Sequence, residues 1–473
     1  MTIKKEEFIR KYVQAIRKGN AAVFAGAGLS CPSGFVNWKE LLRPLAKDIG
    51  LDVDKENDLL SVAQFYRNKR KNRTAVNQAI MDAFSRDVDT NENIDILSRL
   101  PIRTYWTTNY DELLECGIKK FNRNPDVKSE TDQLSVMKTN RDAVVYKMHG
   151  DVNRPANAVL TKSDYEVYEN KRPLFRTALK GDLISKTFLF IGFSFEDPNL
   201  DYVLGQIHSL LEENCPEHFC FFRRIQKDKY DNPSEYGYDS AKQEMQIENL
   251  ENYGIQTVLV DSYDEITEVL HIVEHTYKMK NVFISGSASA FDEPWDVNRA
   301  EYLAGKLAGT LVHNDYRITS GFGLGIGSAV INGALKVVYS EKYRHTDDYL
   351  CLRPFPQNVK DIEERNLLYK KYREDMIDET GVSIFMFGNK YINDSVVEAA
   401  GCIQEFKISK EKGNVIIPFG STGYAAKIIY DEVKKNISEY KYLSEYIDRL
   451  GTETDVEAIV KITIKILEKE ANK

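Results

Sequence analysis

The sequence predicts an α/β protein made of two Rossmann-like domains, each a parallel sheet with helices on both faces. Three observations predict it. Apolar runs of strand length alternate with longer stretches of helical spacing. Nearly every run breaks into glycine or into a side chain able to do chemistry. The pattern then restarts near residue 278, which divides the 473 residues into domains 1–278 and 279–473, in keeping with a length prior of roughly 150 residues per domain.

The elements follow in order. Phe8, Ile9, Tyr12, Val13 and Ile16 are spaced as one helix face, and Gly19-Asn20 stops that helix. The apolar run Ala21 to Ala25 then breaks into Gly26-Ala27-Gly28-Leu29-Ser30. After a helical stretch, Leu59 to Phe84, further strands are expected at Ile102 to Trp106, Ala143 to Met148, Thr187 to Ile191, His218 to Phe222 and Ile255 to Val260. They run into Thr107-Thr108-Asn109-Tyr110-Asp111, into His149-Gly150-Asp151, into Gly192-Phe193-Ser194 and, for the last, into Asp261. Arg223 to Glu244 reads as an exposed, charged insertion. A helix over Ile266 to Tyr277 closes the first domain. In the second, strands at Val282 to Ile284, Arg317 to Thr319 and Val415 to Ile417 lead into their own glycine-rich turns, and further strands are expected at Tyr349 to Leu352 and Val382 to Phe387.

Composition removes several classes. Hydrophobic residues at 42% and charged residues at 29% describe a chain that folds. Lys+Arg at 64 against Asp+Glu at 72 gives a net charge of -8, which weighs against a protein held mainly by nucleic-acid phosphates. The six cysteines form no C-x-x-C pair, so neither a disulfide scaffold nor a zinc ribbon is expected, and reduced thiols in a cytoplasmic protein are. The first residues have no apolar signal core, and no apolar run approaches the roughly 18 residues that span a bilayer, so no membrane partner is expected.

In an open parallel sheet the strands' carboxyl ends share one edge, and ligands bind there. Gly26, Thr108, Asn109, Asp111, His149, Gly192, Ser194 and Asp261 would therefore converge although far apart in sequence. A glycine loop between strand and helix lets the backbone approach a pyrophosphate, yet a lone G-x-G is as often a packing turn. His149 before a glycine and Asn109-Tyr110-Asp111 also have plain structural uses, the latter as a helix cap, as does Glu196-Asp197-Pro198.

Together, however, Gly26-Ala27-Gly28-Leu29-Ser30, Thr107-Thr108-Asn109-Tyr110-Asp111, His149-Gly150 and Gly192-Phe193-Ser194 resemble, in that order, the G-A-G-x-S, T-Q-N-x-D, H-G and G-T-S motifs of the sirtuin family, specifically its bacterial NAD-consuming defence branch, over roughly residues 1 to 275. The resemblance implies an NAD site in which Asn109 and His149 are the catalytic pair. It implies that Ala25, Gly26, Ala27, Ser30, Thr108, Asp111, Gly192, Ser194 and Asp261 hold the dinucleotide, without a metal. Three departures weigh against peptide deacylation. The zinc-module cysteine pairs are missing, Cys215 and Cys220 having the wrong spacing. Cys31-Pro32-Ser33-Gly34-Phe35 stands where deacylases carry Pro-Asp-Phe-Arg. Thr108 replaces the glutamine. Cleaving ribose from nicotinamide passes through an oxocarbenium-like centre with a cationic leaving group, so no strong acid is required. Asn109 can hold a water or ribose hydroxyl, and His149 can take the proton.

In the second domain, Ser285-Gly286-Ser287, Thr319-Ser320-Gly321-Phe322-Gly323 and Ile417-Pro418-Phe419-Gly420-Ser421-Thr422-Gly423 resemble the SLOG family of nucleotide-binding folds over about residues 279 to 473. Its enzyme branch follows a P-G-G-x-G-T loop with a glutamate. Here the loop is degenerate and Tyr424-Ala425-Ala426 follows, which implies binding without catalysis. Ser285, Gly286, Ser287, Gly321, Phe322 and Gly323 would contact a phosphorylated ribonucleotide, Arg365 and Lys390 its phosphates, and Glu398 its ribose hydroxyls, although solvated surface charge is an equal reading of those last three.

The two-domain layout resembles the Thoeris antiphage effectors. That implies a regulatory ligand, a cyclic ADP-ribose isomer made by a TIR-domain partner protein, which releases NAD hydrolysis to ADP-ribose and nicotinamide, and a homo-oligomer of tetramer size or larger. An NAD-dependent deacylase, a non-catalytic nucleotide sensor and a nucleic-acid-guided assembly are the alternatives.

Overall fold

The computed structural model describes residues 2–56, 58–195, 197–211, 214–342, 344–356, 359 and 361–471. It divides into two compact units, Met1–Glu274 and His275–Lys473, and the helix Asp264–Met279, within which the expected boundary at 278 falls, carries the chain from one to the other.

The first unit is built on seven parallel strands: β1 (Ala21–Ala25), β2 (Thr104–Thr107), β3 (Pro125–Lys128), β4 (Ala143–Lys147), β5 (Thr187–Ile191), β6 (His218–Arg223) and β7 (Ile255–Val260), in the spatial order β3-β4-β2-β1-β5-β6-β7. β1 is buried along its whole length, which is why its sequence is continuously apolar rather than alternating. Phe24 stacks on Phe190 and meets Phe193 edge-on, and each ring of that size contributes on the order of 1.5–3 kcal/mol by leaving water. The register matters most for function. Ala25 lies opposite both Thr107 and Ile191, so β1, β2 and β5 end level. Thr107 lies opposite Lys147, so Asn109 and His149 each sit two residues past the same rung on neighbouring strands.

The structure corrects two sequence expectations and adds two elements that went unread. The second strand begins at Thr104, not Ile102, since Pro101 has no N–H to donate and the Ile102 N–H turns back to the Leu100 carbonyl. Leu59 to Phe84 is two helices, Leu59–Arg70 and Thr74–Phe84, separated at Lys71, which takes a left-handed conformation at φ 55°. Strand β3 carries too little apolar sequence to be read as one: its Asp126 and Lys128 are a buried ion pair 2.8 Å apart. Arg223 to Glu244 is largely exposed, but it runs into a 20-residue helix, Pro233–Asn252, anchored by Ile247 and Leu250.

The second unit holds a five-stranded parallel sheet of β8 (Asn281–Ser285), β9 (Arg317–Ser320), β10 (Leu350–Leu352), β11 (Val382–Phe385) and β14 (Val415–Pro418), ordered β10-β9-β8-β11-β14. A hairpin that the sequence reading missed, β12 (Asn389–Ile392) with β13 (Ser395–Glu398), turns through Asn393 and Asp394 at φ 47° and 60°. Asn and Asp tolerate that conformation better than other non-glycine residues, which is the sequence signal for the turn. Among the described residues no helix is long and apolar enough to cross a membrane.

Candidate active site

Asn109 sits at the open edge of the first sheet with both of its amide hydrogens committed. Nδ2 donates to the Gly26 carbonyl at 3.0 Å and to Ser30 Oγ at 3.0 Å. A carbonyl can only accept, so the orientation of the amide is forced and Oδ1 is the atom left to a water or hydroxyl. The backbone beneath it is fixed by Thr107, whose hydroxyl donates to the Ala25 carbonyl at 3.0 Å and accepts the Asn109 N–H at 2.9 Å. Asp111 is buried behind this group. Its Oδ1 accepts the Leu113 N–H at 3.1 Å at the start of the helix Leu113–Lys120, while Oδ2 is buried without a hydrogen-bond partner. Burial raises its pKa. Asp111 thus holds the turn from the Asn109 loop into that helix.

His149, off the neighbouring strand, is buried, and its Nε2 lies 3.1 Å from Asp197 Oδ2, close but not aligned as a hydrogen bond. Tyr165 donates to the same carboxylate oxygen at 3.0 Å, and its ring meets the imidazole edge-on at 5.4 Å. The other oxygen, Oδ1, accepts the Asn199 and Leu200 N–H groups at the start of the helix Pro198–Leu211. Burial opposes the Asp197 charge, but the His149 imidazole and these hydrogen bonds overcome it and hold its pKa below the ordinary carboxylate value. Asp197, read from sequence only as a cap or turn, is therefore the partner of His149 (Glu196 beside it lies outside the described residues). Its place directly before Pro198 concealed the second role.

Tyr110 joins the two loops. Its hydroxyl donates to the Val159 carbonyl at 2.7 Å, while the Val159 N–H donates to the His149 carbonyl at 2.8 Å. The Asn109–Ser30 group and the His149–Asp197–Tyr165 group are thus adjacent and tied.

The glycine loop differs from its sequence reading in mechanism. The N–H groups of Gly26, Gly28 and Leu29 donate to Ile191, Gly192 and Gly26 carbonyls, so these three amides are already partnered and not free for phosphate. The glycines allow two loops to touch. A Cβ on Gly26 would lie 2.3 Å from the Gly192 carbonyl oxygen, and one on Gly192 would lie 2.1 Å from the Leu29 nitrogen. Ala25 is buried with its carbonyl used by Thr107 and Thr108. Ala27 and Thr108 are half-buried at the rim, and Ser194 is exposed there. Asp261 is not brought to this group. It ends β7, five strand spacings or roughly 24 Å from β4, and pairs with Arg224 at 3.1 Å.

Glu112, Glu115 and Asp151 are the one acidic group among the described residues whose oxygens come within 4.8 Å of one another, and the Lys147 ammonium already lies against Glu115 and Asp151. The six cysteines are unpaired; Cys220 Sγ lies 3.4 Å from Thr257 Oγ1.

At the second glycine edge, two expected ligand hydroxyls are committed elsewhere. Ser285 Oγ donates to the buried Glu405 carboxylate at 2.6 Å, and Ser287 Oγ donates to the Asn389 carbonyl at 2.9 Å. Gly286 and Gly323 pack against one another: a Cβ on Gly323 would fall 1.7 Å from the Gly286 oxygen. Gly321 is half-buried beside Phe355, and Phe322 is half exposed at a left-handed φ of 58°. Arg365 is half-buried in the first turns of the helix Ile362–Asp378. Lys390 and Glu398 are exposed, but they occupy successive rungs of the β12–β13 hairpin, and successive rungs face opposite sides. The residue that shapes this loop, Asn389, went unread. Its Oδ1 accepts the Ser289 and Ala290 N–H groups at 2.8 and 2.9 Å.

Comparison with known proteins gives two family matches: residues 103–258 match the SIR2-like domain, and residues 265–470 match the Sir2- and TIR-associating SLOG family. Over nearly its whole length the chain is similar to proteins named NAD(+) hydrolase ThsA. It is 48% identical to that of Bacillus cereus (strain MSX-D12), over 92% of this chain and 90% of that protein. It is 46% identical to that of Cytobacillus dafuensis, over 93% and 90%. It is 42% identical to that of Acinetobacter baumannii (strain 532279), over 94% and 95%.

Proposed function

The chain belongs to the ThsA family of NAD(+) hydrolases, and from that premise we propose that its first unit cleaves NAD to nicotinamide and ADP-ribose at the Asn109–His149 edge, under the control of a cyclic ADP-ribose isomer bound by the second. The observation that carries the catalytic assignment is the register of β2 against β4, which sets Asn109 and His149 equally far beyond one rung.

In this reading the bond from ribose C1′ to the pyridinium nitrogen breaks, and its electron pair leaves with nicotinamide, which departs neutral. Water adds to the oxocarbenium-like C1′ and gives up one proton. Asn109 Oδ1 accepts a hydrogen bond from that water or from a ribose hydroxyl. His149 takes the proton, and the Asp197 carboxylate, 3.1 Å from Nε2, balances the charge acquired. No acid is needed for the leaving group, which accords with the absence of a general acid in the assignment.

The second unit's rim of Gly321, Phe322 and Gly323 offers an exposed aromatic face for a base, with Arg365 as the phosphate-binding cation. The match to a family described by its association with TIR domains supports a TIR-domain source for the ligand. Loss of cellular NAD would then halt phage growth in the cytoplasm, and the protein would act as a homo-oligomer. A signal of this kind works only if it binds the active arrangement more tightly than the resting one.

The test is NAD consumption by the whole chain, with NAD alone and with cyclic ADP-ribose isomers. The expected result is equimolar nicotinamide and ADP-ribose, released on addition of an isomer and abolished by His149→Ala. NAD loss that depends on an added acetyl-peptide would instead favour a deacylase. An isomer that neither binds nor activates would remove the regulatory half of the proposal.

A further inference from the structure

Beneath the loop that carries Asn109 lies a charge the reaction above does not use. Lys147, the last residue of β4, is fully buried. Burial works to remove its proton, but Glu115 and Asp151 outweigh that and raise its pKa above the ordinary lysine value, so it is an ammonium throughout the neutral range. Its Nζ donates to the main-chain carbonyls of Tyr110 at 3.1 Å and Asp111 at 2.7 Å and to Glu115 Oε1 at 3.0 Å, with Asp151 Oδ2 at 2.5 Å. The two carbonyls belong to the residues directly after Asn109, and Asp151 is two residues after His149. A single nitrogen therefore grips both loops on their buried sides.

The other end of the Asn109 loop is held by the Thr107 hydroxyl. Asp151 is further fixed by accepting the Asn153 N–H at 2.8 Å and its Nδ2 at 2.9 Å. A buried ion cluster is a poor means of gaining stability, because apolar residues of similar volume commonly do as well or better. What a cluster of fixed donors and acceptors supplies is geometry.

We propose that Lys147 is a positioning residue for NAD hydrolysis, its ammonium tying the Tyr110 and Asp111 carbonyls to Asp151 and thereby setting the separation of Asn109 and His149. This rests on the assignment of Asn109 and His149 as the reacting pair. A methionine at 147 fills the space but releases both loops, and a guanidinium keeps the charge without bringing one nitrogen to all four oxygens.

The experiment compares the full chain with Lys147→Met, with the charge-conserving double variant Lys147→Met/Glu115→Gln, with Lys147→Arg, and with Asn109→Ala and His149→Ala as references. Each is assayed for NAD consumption with NAD alone and with added cyclic ADP-ribose isomers, and for amide hydrogen exchange over residues 107–112 and 148–153. The double variant is expected to lose at least about 100-fold in kcat, the cost of roughly an ångström of misplacement, with a much smaller change in KM for NAD and faster exchange in both loops. Lys147→Arg guards against a Met variant that does not fold. It is expected to lose at least about tenfold with the same exchange signature. Wild-type kcat and wild-type exchange in a folded Lys147 variant would overturn the proposal, as would a lowered melting temperature with kcat intact, the behaviour of a merely stabilising lysine. Turnover that survives in Asn109→Ala or His149→Ala would sink the underlying assignment instead.

Discussion

Replacing Gly192 with alanine tests whether the loop-to-loop contact, rather than a phosphate, explains the glycines of the first site. Gly192 sits at φ 64°, where an L-residue costs roughly 1–2 kcal/mol. The new Cβ would fall 2.1 Å from the Leu29 nitrogen and 2.6 Å from the Gly28 carbonyl carbon, both backbone atoms that cannot rotate away. Ordinary contact begins near 3.4 Å, so the two loops must part by about 1 Å, straining the Gly28 N–H bond to the Gly192 carbonyl, worth about 1 kcal/mol. The sum is about 2–3 kcal/mol from the first unit, or roughly 4–12 °C at 2–4 °C per kcal/mol for a domain of this size. The moving segment carries the Gly26 carbonyl and the Ser30 hydroxyl that clamp Asn109, so NAD turnover should fall about 100-fold as well. Differential scanning fluorimetry and a nicotinamide-release assay read the two effects. Gly181→Ala, where nothing lies within 4 Å of the added carbon and the residue is inside the helix Pro173–Ser185, should instead gain about 0.5–1 kcal/mol. A Gly192→Ala protein with wild-type melting and turnover would refute the reasoning.

Asp197→Asn keeps an acceptable cap for the helix Pro198–Leu211 but removes the charge facing His149, so stability should change by no more than about 1 kcal/mol while kcat falls on the order of 10–100-fold, measured by thermal melting beside NAD consumption. His218 is buried and neutral among Phe188 and Phe190, and burial lowers its pKa from 6.5 to about 3. The unfolded chain therefore takes up the proton first, so this contribution is whole above pH 6.5 and is lost as pH falls toward 3, by on the order of 4–5 kcal/mol. Denaturant unfolding across that range should show the slope, and His218→Gln should flatten it. Ser285→Ala leaves Glu405 buried with Arg373 as its remaining partner, 3.3 Å away, and should destabilise the second unit by about 1–3 kcal/mol, read by thermal melting. An unchanged melting temperature would contradict the hydroxyl's structural role.

Much of this was legible along the chain because the signals are local. A continuous apolar run such as Ala21 to Ala25, of strand length and bounded by turn residues, fits a strand buried on both faces, and polar side chains immediately after several such runs collect at one edge once the sheet is parallel. What was missed lies where one residue type has two uses. Asp126 and Lys128 neutralise one another inside β3, Asp197 both caps a helix and faces His149, and Lys147 looks like the polar end of a strand until its three acceptors and the Asp151 carboxylate are seen. Asp261 was grouped with the site because it ends a strand, yet strand order places it at the far edge, and sequence does not reveal strand order. The hydroxyls of Ser285 and Ser287 face inward for a similar reason, since their partners Glu405 and Asn389 are about a hundred residues away.

By itself the sequence determined the two parallel-sheet units and the kinds of group gathered on each rim, because burial pattern and turn chemistry act over a few residues. Tertiary structure alone decided that Asn109 presents its acceptor, that His149 faces Asp197, and that the glycines serve one loop's approach to another. Hydrogen-bond direction and close contact depend on atoms brought together from distant strands, and no periodicity in the chain encodes them.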